Sequence, residues 1–167
     1  MQDARAIANH ILSNYDSLSM NITNLKINKI IYLVHGWYFA RKNEALIRNH
    51  FEAWQYGPVI RVVFDSFSKF GDQPITEKAL YMDHKLGKMR SVDFVASTKI
   101  DFELIKKITD FYIKYSASEL VTLTHKNGSP WHTIFHNLEE NKGIRDRIPN
   151  ELIYAYFCSL GGSGKSH

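Results

Sequence analysis

His132 and His136 stand four residues apart, a spacing that sets two imidazoles on one face of a helix and suits a metal ion. Zinc needs at least a third protein ligand, and neither a cysteine pair nor an HExxH acid accompanies them. His35 sits in an apolar stretch and His125 at a helix end, both settings of a structural histidine. Ser129 lies close to His125, as a nucleophile would to its base, but Ser129-Pro130 already reads as a helix start. No G-x-S-x-G elbow is present, and Glu139-Glu140 falls in a polar stretch. Cys158 is the single cysteine, in an apolar run, so no disulfide framework exists. The tail "GGSGKS" imitates a phosphate-binding loop, yet Ser159 occupies the position where that loop needs its first glycine. The expectation is no catalytic set, no metal site and no cofactor.

The elements that would carry these residues are mainly helical. Ile7, Ala8, Ile11, Leu12 and Tyr15 stripe a first helix over residues 3–15. Thr23 caps a second, running to about Lys42, whose half "IIYLVHGWYFA" is apolar nearly all round and therefore central. Gly36 inside it costs about 1 kcal/mol against Ala, which a close helix crossing or a ring over the backbone would justify. "HFEAWQY" reads as a short strand ended by Gly57-Pro58, with Pro58 opening a third helix that closes at Gly71. Residues 72–100 read as a loop-rich excursion with a small hairpin, the β-prone piece being "VDFVAS" and the basic run "HKLGKMR" a mobile loop. Asp101 opens a fourth helix striped by Phe102, Ile105, Ile108, Phe111, Tyr112 and Tyr115. Ser116 and Glu119 form a capping box for a fifth, Ser129-Pro130 start a sixth, and Ile148-Pro149 precede the last. The fold class expected is a mainly α, single compact domain of about seven helices with one or two short strands. It spans 1–160, and 161–167 are a flexible tail.

A chain of 167 residues, 44% hydrophobic and 13% aromatic, has material for one real core. Its 21 Lys and Arg are nearly matched by 17 Asp and Glu spread along the chain, so nucleic acid is not the expected partner. No run approaches the roughly eighteen apolar residues of a membrane span, and a soluble cytoplasmic protein is expected.

Three stretches carry further information: "ITNLKINKIIYLVHGWYFA" (22–40), "FEAWQYGPVIRVVFDSFSKFG" (51–71) and "LTHKNGSPW" (123–131). In this order and spacing they resemble the Panacea antitoxin domain, the family of SocA-type and phage-associated GepA-like antitoxins. The resemblance implies a mostly helical, non-enzymatic antitoxin that neutralises a cognate protein toxin by direct contact. One branch resembles an adaptor that hands its toxin to a protease, which would add a protease as partner. The alternatives are that adaptor role and a DNA-binding autorepressor, although no helix-turn-helix with a basic recognition helix is evident.

Within the shared motifs, Trp37, Glu52, Trp54, Tyr56, Gly57, Pro58, Thr124, His125, Pro130 and Trp131 are candidates for packing or toxin contact. The first cluster reads as a ring-locked turn against the long helix and the second as another such corner. The packing role is favoured, with all three tryptophans at least half buried. Toxin specificity is expected outside the motifs, in 72–97 and 141–160. The anchors there are Tyr81, Met82, Met89, Arg90, Tyr154 and Tyr156, because rings, Met and Arg are enriched at interfaces.

Overall fold

Helix α2 (Asn24–Lys42) is the axle of the structure, a computed structural model that describes residues 1–96, 99–140 and 147–162. Thr23 Oγ1 caps it by accepting from the Lys26 N–H, and Asn43 ends it in the left-handed conformation. Every residue from Ile27 to Gly36 is buried, as a helix apolar on all sides requires. Around it pack α1 (Ala4–Asn14), α3 (Arg61–Phe67), α4 (Phe102–Tyr112), α5 (Ala117–Thr124) and α7 (Asn150–Gly162). The sixth helix, α6 (Pro130–Glu140), packs on α7 and the sheet. Gly36 lies at the α2–α7 crossing, where a Cβ would stand 2.2 Å from the Phe157 ring. Both reasons anticipated for this glycine hold at once.

Strands β1 (Phe51–Trp54), β2 (Gly57–Val59) and β5 (Arg147–Ile148) form an antiparallel sheet in the order β2-β1-β5. A separate hairpin joins β3 (Leu80–Asp83) and β4 (Lys88–Ser91). The mainly helical class and the seven helices are as expected among the described residues, but the short strands number five rather than one or two. Pro58 does not open a helix. It sits in edge strand β2, where a missing N–H is harmless, and α3 begins only at Arg61. α3 gives way to a 3₁₀ turn (Ser68–Phe70) before Gly71 at φ +57°. The hairpin lies ahead of "VDFVAS", whose described residues 92–96 are not a strand, and Lys88–Arg90 of the expected mobile loop are strand β4. Phe102 and Phe111 belong to the α4 stripe by period but are 43% and 57% exposed. The last helix continues through Gly162, and 163–167 lie outside the described residues.

His35 is fully buried in α2. Its Nδ1 accepts from the Ile47 N–H at 3.3 Å, which leaves Nε2 to donate to Asn150 Oδ1 at 3.3 Å. Burial pulls its pKa down to about 4 from 6.5. Because the unfolded chain binds this proton first, stability is lost as pH falls from 6.5 to 4. At about 1.4 kcal/mol per pKa unit the loss is about 3 kcal/mol. Urea melts of the wild type and His35→Gln at pH 6.5, 5 and 4 should show this limb in the difference between the two proteins.

Candidate functional site

The two ring-rich motifs are not two corners but one. β1 and β2 make a hairpin with Gln55 and Tyr56 at its tip, Trp54 pairing with Gly57. The Trp131 indole N–H donates to the Trp54 carbonyl at 2.7 Å, tying the start of α6 to that turn. Ser129 fixes the α6 end: its hydroxyl donates to the Thr124 carbonyl and accepts from the His132 N–H. Pro130 then occupies the first helical position. His125, the α5 cap, stacks flat on Trp131 with centroids 3.6 Å apart, and Phe135 also stacks on Trp131 at 4.7 Å.

Gly57 is the hub of this corner. Its φ of +102° disfavours any side chain, and a Cβ would meet Lys29 Cε at 2.8 Å, Thr124 Oγ1 at 2.9 Å and His125 Nε2 at 3.3 Å. Lys29 comes from α2, has no exposed surface, and donates through Nζ to the Pro58 carbonyl at 2.9 Å. Loss of solvent pulls its pKa from 10.5 down to about 7. An amine of that kind is the raw material of Schiff-base chemistry, but this one is shut away from any carbonyl substrate. His125 Nε2 is also buried, close to the Tyr56 backbone without a well-aligned hydrogen bond. Burial and the neighbouring Lys29 lower its pKa. The corner is therefore a closed polar joint rather than a reaction site.

Around the joint, Glu52 accepts from the Trp54 indole N–H at 2.7 Å and from Arg61 at 2.8 Å, while Arg61 lies over the Trp54 ring. Trp131 is 4% exposed and Trp54 and Trp37 are partly buried, as expected of all three tryptophans. Trp37 stands apart from the corner. Its indole donates to Tyr112 Oη at 2.8 Å and its ring meets Phe157. Tyr56 was expected to be locked by rings, but it projects from the hairpin tip, 62% exposed. The His132 and His136 rings lie 4.2 Å apart and tilted by 53° on α6, and no cluster of three or more metal-binding side chains exists among the described residues.

The β3–β4 hairpin presents the opposite character. Tyr81 pairs with Arg90 and Met82 with Met89, and paired residues share a face. One face therefore carries Leu80, Met82 and Met89, and the other Tyr81, Asp83, Lys88 and Arg90. Leu80, Tyr81, Met82 and Met89 are all exposed, and Leu86 adds a further exposed side chain at the loop. Asp83 shapes that loop by accepting from the Lys85 and Leu86 N–H groups, and Gly87 supplies the positive φ.

Buried Asn9 on α1 grips the hairpin's base. It donates to the Ala79 and Val92 carbonyls at 3.0 Å each and accepts from the Ala79 N–H at 2.7 Å. Tyr154 and Tyr156 are partly buried on α7, against Phe39 and Phe157 respectively. Residues 141–146 of the second expected specificity segment, and Ser97 of the first, lie outside the described residues.

The sequence pattern described as "Antitoxin SocA-like, Panacea domain" matches residues 27–132, a span that holds both the joint and the exposed hairpin. The chain belongs to the Panacea-domain family of SocA-like antitoxins. A curated relative, "Antitoxin SocA" of Caulobacter vibrioides (strain NA1000 / CB15N), is 33% identical over 154 residues, covering 90% of this chain and 80% of its own. No solved structure matches. Membership places the protein among the antitoxins of toxin–antitoxin systems and implies a toxin as partner. Among its described residues no helix is long and apolar enough to cross a membrane.

Sequence reading missed four contributors to the joint and the hairpin of this Panacea-family protein: Lys29, Asn9, Leu80 and Leu86. The first two are polar residues in helical stripes, and nothing local betrays that they clamp a turn 29 residues away and a hairpin 70 residues away. Leu80 was within reach. The alternation Leu80, Met82 across from Met89 follows once Asp83 and Gly87 are read as the ends of a turn.

Proposed function

We propose that this antitoxin neutralises its toxin by direct, non-enzymatic binding, and that the apolar face of the β3–β4 hairpin is the principal contact. The observation that supports the reading most is the row Leu80, Met82 and Met89, exposed on a hairpin whose base is pinned by Asn9. Solvent-facing apolar rows on a rigid support are the usual mark of a protein interface. Met suits it further, since its flexible thioether adapts to differing partner surfaces. Along residues 78–91, Lys78, Lys85, Lys88 and Arg90 outnumber Asp83, the one carboxylate of that segment, so an acidic toxin surface fits best. The joint of Gly57, Thr124, His125 and Trp131 holds the scaffold in this reading, and Tyr154 and Tyr156 pack α7.

Co-expression with the product of the adjacent toxin gene provides the test. Met82→Glu with Met89→Glu places two carboxylates on the contact face while touching no buried group. The double variant is expected to keep the wild-type circular dichroism and melting temperature. Toxin affinity should drop at least a hundredfold, about 3 kcal/mol, and growth rescue should fail. Full rescue by the folded double variant would assign neutralisation to another surface.

A further inference from the structure

A cleft of about 420 Å³ opens between the C-terminal half of α2 and α4, and shares no residue with the hairpin. Trp37, Leu104, Ile108 and Phe111 make its apolar walls, and Tyr112, Arg41 and Lys107 supply its polar groups. All three polar groups are left to donate. Tyr112 Oη already accepts the Trp37 indole N–H, so its own proton remains to give. Arg41 and Lys107 have no carboxylate within ion-pair distance among the described residues. The nearby acids are committed elsewhere: Asp101 to Lys42, and Asp110 to Lys106 and Tyr15. Lys107 reaches Asp101 only through space, and Glu103 lines the two neighbouring clefts instead. Behind Trp37 and Tyr112 a smaller space of about 70 Å³ meets the buried Tyr32 hydroxyl, which has no hydrogen-bond partner. On this side of α2 the chain's own groups leave both ring surface and donors unmatched.

We propose that this cleft docks an acidic peptide segment of a protein partner. One aromatic or large aliphatic side chain would lie among Trp37, Leu104 and Phe111, with a neighbouring carboxylate on Arg41 and Lys107. Charge complementarity selects this occupant, because two free cations and a hydroxyl donor beside an apolar slot reject a basic or purely apolar segment. Phe111, 57% exposed at the rim, gives the incoming ring an edge to pack on. The net charge of +4 steers acidic partners toward the chain as a whole.

The probe is the capped peptide acetyl-Asp-Glu-Phe-Glu-Asp-amide, titrated into the full chain while the three indole N–H resonances are followed by NMR. The Trp37 indole signal is expected to shift and that of Trp131 to stay. Replacing the peptide's Phe by Ala, or its acids by Lys, should weaken binding at least tenfold. Arg41→Glu with Lys107→Glu should do the same without lowering the melting temperature, since both side chains are exposed. If that pair misfolds, Phe111→Ser carries the test with the same expected loss. Equal affinity for the lysine peptide, or an unmoved Trp37 signal, overturns the proposal. So does competition by free phenylacetate as strong as the peptide's, which would make the cleft a small-molecule site.

Discussion

Gly36→Ala is expected to destabilise the protein by about 3 kcal/mol, although the same change in an open helix adds about 1 kcal/mol of stability. The difference is Phe157. The Cβ of an alanine would fall between 2.2 and 2.5 Å from three atoms of its ring. That ring cannot swing aside cheaply, because Tyr32, Trp37 and Tyr156 surround it with centroids 5.3 to 5.8 Å away. The strain is therefore relieved by moving α7 off α2, which loosens Ile153 and the Asn150 bond to His35 as well. For a chain of this length the melting temperature should drop by roughly 6–12 °C. Phe157→Leu alone also destabilises, but combined with Gly36→Ala it should cost less than the two changes summed, a coupling of about 1 kcal/mol or more. An alanine that raises the melting temperature would show that the crossing is not as close as the ring contact requires.

What the sequence disclosed was local, and what it concealed was long-range. Caps were legible because Thr23, Asp101, Ser116 with Glu119, and Ser129-Pro130 act within a few residues of themselves. The burial of α2 was legible because its apolar residues leave no polar face for water. Pro58 misled because its residue type fits two local structures equally. Pairing of Ala53 with Pro58 and the Lys29 bond to the Pro58 carbonyl decide for the strand. The candidate site was half legible. "EAWQYGP" and "LTHKNGSPW" were visible as clusters, but only long-range contacts, the Trp131–Trp54 bond and the packing of Thr124 and His125 on Gly57, make them one joint. Phe102 and Phe111 follow the helical period and yet stay about half exposed, since period assigns residues to a stripe and not the depth to which the stripe's far edge is buried.

Lys29→Met is expected to reverse sign with pH. Lys29 is protonated in both folded and unfolded chains below about pH 7, and there its burial cost is fully present. Above pH 7 the folded form sheds the proton while the unfolded chain keeps it until about 10.5, so wild-type stability rises across that window. The rise amounts to about 5 kcal/mol at about 1.4 kcal/mol per pKa unit. Methionine removes the charge and keeps the stem that lies against Gly57, but it leaves the Pro58 carbonyl without its donor, a loss of about 1–3 kcal/mol. The variant should thus be more stable than wild type by about 2–4 kcal/mol at pH 6 and less stable by about 1–3 kcal/mol at pH 10. Taking the difference between the two proteins at each pH cancels the other titrating groups. His125 sharpens the acid side, because its protonation would set a second charge beside Lys29. Urea melts of both proteins at pH 6, 8 and 10 check the crossing. Parallel curves would mean that the Lys29 ammonium is solvated in the folded state and that the joint at Gly57 is open to water.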